Sequence, residues 1–284
     1  MQFSITHALR YRYDRPVFFE PMLIRLCPRH DHAQHLLAFD LQITPTPTGS
    51  TQILDAHDNR TRVIWFNGTH EQMQIQSTSQ IRMLETSPFD YLVTERGAEQ
   101  LPVEYGPALV PPLMVFRQRA DHDRTVDRLA DELRQEAAGQ TLEYLRRLVR
   151  HIPDQCTQIH REQGNPWPAS RTLARREGSC RDLTLLFMEL CRAVGLAARF
   201  VSGYCTIESL NQANELHAWA EVYVPGGGWR GYDPTVGVAT SGEHIALAVA
   251  ADPGNAAPTF GNYRGTDAVS EFDYEIRIQP EGGR

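Results

Sequence analysis

Glu177-Gly178-Ser179-Cys180-Arg181-Asp182, followed at helical spacing by Leu183, Leu186, Phe187, Leu190 and Val194, is the stretch on which the reading of this chain turns. The period places Cys180 on the first turn of a mostly buried amphipathic helix. Ser179 serves as N-cap with Asp182 at the third helical position, and Gly178 lets the chain turn sharply before it. A thiol at the positive end of a helix is favoured as thiolate, the nucleophilic form. A lone cysteine is more often a small buried hydrophobe, so the downstream residues decide the matter.

From His217 to Val224 the residues alternate. Ala218, Ala220, Val222 and Val224 form one face; His217, Trp219, Glu221 and Tyr223 form the other. This is a strand. Pro225-Gly226-Gly227-Gly228 turns the chain and Trp229 to Asp233 returns, which predicts a β-hairpin. Side chains alternate with period two, so a loop of odd length or a glycine bulge puts His217 and Asp233 on one face, opposite or one diagonal apart. A neutral imidazole could then take the Cys180 proton while Asp233 holds the ring and favours the imidazolium.

Gly178-Ser179-Cys180-Arg181-Asp182, Phe200-Val201-Ser202-Gly203-Tyr204, His217-Ala218-Trp219-Ala220-Glu221-Val222-Tyr223 and Gly228-Trp229-Arg230-Gly231-Tyr232-Asp233-Pro234-Thr235 together resemble the bacterial transglutaminase-like superfamily. The resemblance implies a papain-like core whose Cys-His-Asp triad maps onto Cys180, His217 and Asp233. It reaches outward: Tyr11 to Val17 and Leu26-Cys27-Pro28-Arg29 look like that family's bacterial N-terminal β domain, and His244-Ile245 resembles a segment following the core. Members of the family include amide hydrolases, acyl-transferring crosslinkers and inactive relatives, so the resemblance leaves the reaction open.

The chain has 284 residues, enough for two domains. Alternating segments at Phe3–Tyr13 and Leu37–Ile43, and strands around Val63–Phe66, Gln72–Ser77 and Gln80–Leu84, predict an antiparallel β-sandwich over 1–95. Prolines and glycines between Thr94 and Pro112 predict a linker over 96–120. Two helical patterns, Val126 to Leu133 and Leu142 to Ile152, open a catalytic core assigned to 121–284 together with a C-terminal strand at Glu271–Ile278. The expected fold is therefore α+β, a sandwich followed by a papain-like, transglutaminase-like core.

A net charge of -7 argues against nucleic acid or an anionic membrane as main partner. All 28 basic residues are arginine, so the chain offers no lysine for self-crosslinking. Five cysteines without paired spacing (Cys27, Cys156, Cys180, Cys191, Cys205) argue against a disulfide framework, and together with the lack of a signal-like start they predict a cytoplasmic protein. No cofactor is expected, and the partner is expected to be a peptide or protein substrate. Trp167 in the rigid Gly164-Asn165-Pro166-Trp167-Pro168 loop, Tyr204 and Trp219 are the candidate substrate-binding residues, with the polar stretch 208–215 as a substrate rim. A zinc site on Cys180, His217 and Asp233 lacks a closely spaced anchoring pair, and His30, His32 and His35 read as a solvated loop. His244 reads as structural.

Overall fold

The computed structural model describes residues 1–84, 87–161, 164–207 and 215–281. Most of the polar stretch expected as a substrate rim, 208–214, lies outside the described residues.

The first domain is a sandwich. Its larger sheet joins β1 (Gln2–Phe19), β3 (Gln34–Thr44) and β6 (His70–Met83), and the smaller joins β2 (Met22–Ile24), β4 (Gly49–Leu54) and β5 (Arg60–Trp65). Inward residues of the two sheets, among them Phe3, Ile5, Leu9, Ile24, Ile64 and Ile75, form one core, as alternating half-buried strands require.

The second domain stacks helices on an antiparallel sheet. Its helices are α1 (Val110–Leu113), α2 (Arg124–Glu136), α3 (Thr141–Gln155), α4 (Ala169–Arg175) and α5 (Cys180–Ala193). Short strands β7 (Thr157–Gln158) and β8 (Glu177–Gly178) pair in parallel just before α5. The sheet has the order β12 (Val238–Ala239), β11 (Gly228–Asp233), β10 (Leu216–Val224), β9 (Ala198–Cys205), β13 (His244–Ala250). Ala218, Ala220, Val222 and Val224 pack in one core with Leu183, Leu186, Phe187 and Leu190 of α5; small side chains on the strand let the helix approach closely. A fully buried Glu189–Arg192 pair (3.0 Å) also anchors α5. Glu189 accepts the backbone N–H groups of Ala120 and Asp121, and Arg192 donates to the carbonyls of Ala198 and Ala251. Both charges are thus satisfied inside the core.

Two expected boundaries are corrected. Residues 96–120 are not a free linker: Leu101, Val103, Tyr105 and Leu113 are buried in the second core, and the Tyr105 hydroxyl accepts from Ala197 N–H and donates to the Tyr223 carbonyl. The prolines mark an irregular strap that is nonetheless packed. The last strand, β16 (Ser270–Glu281), does not belong to the catalytic core. It pairs with β1 from Gln2↔Glu281 to Tyr13↔Ser270, while β14 (Thr259–Phe260) pairs with β2 and β15 (Tyr263–Arg264) with β1. Alternation marks a strand but does not name its partner.

The domains are joined by side-chain amides. Gln34 accepts from Ala246 N–H (2.7 Å) and donates to Ala246 C=O (3.0 Å); Asn59 does the same at Val249 (2.8 Å each). Both thereby satisfy backbone groups on the open edge of β13.

Gly203, opposite His217 in the register, allows a close approach of backbone and ring in this sheet. A Cβ there would lie 2.2 Å from the Ile245 carbonyl oxygen and 2.5 Å from the Trp219 ring. The backbone oxygen cannot swing aside, so Gly203→Ala is expected to cost at least about 1–3 kcal/mol of unfolding free energy. Urea denaturation measures this, and a loss under about 0.5 kcal/mol, the ordinary surface-substitution range, would contradict the packing described.

Candidate active site

The hairpin loop between β10 and β11 is Pro225-Gly226-Gly227, three residues, with Val224 paired to Gly228. Gly226 and Gly228 take positive φ (86° and 71°), which glycine permits at little cost. The odd loop fixes the parity. Ala220 faces Tyr232, so Trp219 lies opposite Asp233 and His217 stands one diagonal away on the same face. His217 Nε2–H donates to Asp233 Oδ2 at 2.7 Å, with both groups buried.

The third group arrives from α5. Cys180 is partly exposed on the first turn of α5, and it stands among the groups that act on the His217 ring. Burial alone would lower the pKa of His217, but the Asp233 charge and hydrogen bond, joined by Cys180, raise it to about 10. Burial would raise the pKa of Asp233, and the two imidazoles beside it hold it well below the usual carboxylate range. The pair is therefore a charged one near neutral pH.

The second imidazole is His244. Its Nε2–H donates to the same Asp233 Oδ2 at 3.1 Å, while Thr235 N–H donates to Oδ1 at 2.9 Å. Sequence reading set His244 aside as structural, and nothing local links it to Asp233. It arrives because β13 pairs with β9, placing His244 opposite Cys205. Cys205, Asp233 and His244 each bring a ligand-type atom within 4.8 Å of the others. The carboxylate already accepts both imidazole N–H groups, and burial pushes the Cys205 thiol up to about 12, so hydrogen bonds account for this cluster.

Asp182 does more than cap α5. It is fully buried and accepts from Ser179 N–H and Oγ–H (2.8 Å each), Arg161 (2.6 Å) and Trp167 N–H (2.7 Å). It thus ties the 164–168 loop to the first turn of the helix that carries the thiol. The Trp167 ring is partly exposed and lies under the guanidinium groups of Arg161, Arg171 and Arg175, 4.4–5.1 Å from the ring centre. Trp219 is buried, edge-on to His244 (5.3 Å) and stacked toward His217 (6.4 Å); it braces both imidazoles. Tyr204 is a correction. Its side chain is buried in the sandwich core, its hydroxyl donates to His7 Nδ1 (3.0 Å), and it does not line the cavity between the domains. Burial lowers the pKa of His7 to about 4, consistent with a neutral acceptor.

A cavity of about 490 Å³ lies between the domains, lined by Arg29, Arg199, Glu221 and Trp229 and closed on one side by Trp219 and His244. Neither Cys180 nor His217 lines it, so it backs the cluster and is not the approach to the thiol. Among the described residues, no helix is long and apolar enough to cross a membrane.

Residues 3–82 match the bacterial transglutaminase-like N-terminal region, and residues 127–234 match the transglutaminase-like superfamily core, a span that contains Cys180, His217 and Asp233. The chain belongs to the transglutaminase-like superfamily. An uncharacterized protein of Mycobacterium tuberculosis is 26% identical across 99% of this chain and 94% of its own length. One from Mycobacterium leprae is 23% identical across 96% and 97%. The crystal structure of a candidate cysteine protease from Cytophaga hutchinsonii superimposes with a TM-score of 0.71 at 20% identity, covering 98% of each chain. That likeness shows that this transglutaminase-like fold extends over both domains.

The charged pair makes stability depend on pH. The His217 value in the folded chain, about 10, lies above its ordinary 6.5, so its contribution is complete below 6.5 and fades as pH rises through 10. The Asp233 value lies below its ordinary 3.8, so its contribution is present above 3.8 and fades as pH falls through the folded value. Thermal unfolding should therefore show the pair's largest contribution between pH 3.8 and 6.5. In Asp233→Asn the decline above pH 6.5 should flatten; an unchanged slope would mean the two side chains are not coupled.

Proposed function

We propose that this transglutaminase-like protein is a thiol enzyme acting on amide bonds, either a peptide bond or a glutamine carboxamide, through Cys180, His217 and Asp233. The observation that carries this reading is the buried His217–Asp233 hydrogen bond of 2.7 Å beside a partly exposed Cys180 on the first turn of α5. His217 uses Nε2 on Asp233, which leaves Nδ1 for the thiol.

In this mechanism Cys180 attacks the amide carbonyl as thiolate. The C–S bond forms and the carbonyl π electrons move onto oxygen. The developing charge sits at the N-terminus of α5, where first-turn backbone N–H groups, that of Cys180 among them, point out of the helix. The oxyanion collapses, the C–N bond breaks, and the imidazolium gives its proton to the departing amine. The resulting thioester is attacked by water, whose proton passes to His217, and the C–S bond breaks to release the acid and the thiolate. Asp233 stays ionised throughout and orients the ring.

Hydrolysis is favoured over transfer to an amine, because water needs no dedicated acceptor site. The substrate is a peptide or protein, of which Trp167 on its tethered loop is a candidate contact; the site is assigned no metal or cofactor. Incubation with a peptide library and a primary-amine probe, read by mass spectrometry, separates the outcomes. Cleaved peptides identify a protease, a one-dalton gain at glutamine a deamidase, and probe attachment a transglutaminase. A product set identical to that of Cys180→Ala would end the enzyme reading.

A further inference from the structure

We propose that His244 is a positioning residue for the His217–Asp233 pair, its Nε2–H holding Asp233 Oδ2 in the orientation that meets His217. The inference rests on the thiol-enzyme reading and deepens it.

Asp233 is fully buried, and Thr235 N–H occupies only its Oδ1. Both imidazoles converge on Oδ2, at 2.7 Å from His217 and 3.1 Å from His244. A carboxylate held on one oxygen by a single donor can rotate about its last side-chain bond, since such torsions are broad. A second donor from a different strand removes that freedom.

The hydrogen bonds also fix which nitrogen of His244 faces Asp233. Ser241 N–H donates to His244 Nδ1 (3.4 Å), so that nitrogen carries a lone pair and the proton resides on Nε2. Around His244 stand Asp233 from β11, His217 and Trp219 from β10, Cys205 from β9 and the adjacent Glu243. Across the cavity that His244 lines stand Arg29, Arg199 and Arg230 with the carboxylates of Asp31 and Glu221. The role is available to His244 because β13 runs antiparallel to β9, with a register that places its first residue opposite Cys205, from where its ring reaches Asp233.

A residue that only fills space would leave the charge on His217 unchanged, and this separates the two roles. Iodoacetate is an anion whose attack on Cys180 gains from a neighbouring imidazolium, whereas neutral iodoacetamide gains much less. The ratio of the two alkylation rates against pH therefore reports His217 protonation without any substrate. His244→Phe keeps a ring but no donor; His244→Gln keeps an N–H at the reach of Nε2; His244→Asn is too short to reach Asp233.

In His244→Phe the iodoacetate rate should fall about tenfold, the lower end of what losing an orienting partner costs. The alkaline limit of the ratio should also move to lower pH. His244→Gln should stay within about threefold of the native protein on the same scale. If Phe prevents folding, Asn against Gln carries the same comparison, with Asn behaving as expected for Phe. A folded His244→Phe or His244→Asn protein with the native profile would overturn the proposal, as would a Gln variant as impaired as the others. A native Cys180 that alkylates no faster than a free thiol, with no dependence on reagent charge, would instead strike the thiol-enzyme reading itself.

Discussion

Replacing Cys180 by alanine will abolish turnover of any amide the protein processes, with a rate loss on the order of 10⁶, the scale seen when the nucleophile of a triad is removed. The fold will survive. Cys180 is partly exposed at the start of α5, alanine is an excellent helix former, and the capping bonds run through Ser179 and Asp182 and not through the thiol. Thermal unfolding should therefore move little while activity and rapid alkylation disappear together. Cys191 and Cys205 are buried, with thiols pushed up by burial, so neither can substitute as the reactive site. Retention of more than about one part in 10³ of the native rate would assign the chemistry to another group.

Asp233→Asn will cost about 10⁴ in kcat, because an amide keeps the shape but loses the charge that stabilises the imidazolium. Structure adds a second effect. The carboxylate accepts from two imidazoles and a backbone N–H while fully buried, so its replacement leaves donors facing a weaker acceptor and lowers stability as well. The two losses separate by assay at a temperature where circular dichroism shows the variant folded. A folded Asp233→Asn protein within tenfold of native kcat would mean that the ring is oriented by something else.

Much of this arrangement was legible because it is local. The positions of Cys180 and its cap follow from helical spacing, and the shared face of His217 and Asp233 follows from a three-residue loop in a hairpin. What escaped depends on strand order. His244 is 27 residues beyond His217 in an apolar run (244 − 217 = 27) and meets Asp233 only because β13 lies on the far side of β9. Tyr204 read as a substrate contact, and nothing near it in the sequence says that the sandwich, with His7, covers it. The strand at Glu271–Ile278 was visible, yet its partner at the other end of the chain was not. In the strap at 96–120 four prolines masked the spaced apolar residues Leu101, Val103, Tyr105 and Leu113, which do pack.

The amide clasps made by Gln34 and Asn59 bear on how this molecule can be cut apart. Truncation to the helical half would strip Ala246 and Val249 of their partners and leave a bare ribbon of apolar backbone, the kind of surface that recruits other chains into ladders. Such a fragment should precipitate with its thiol, imidazole and carboxylate chemically intact, so expression vectors for this protein need to carry both halves.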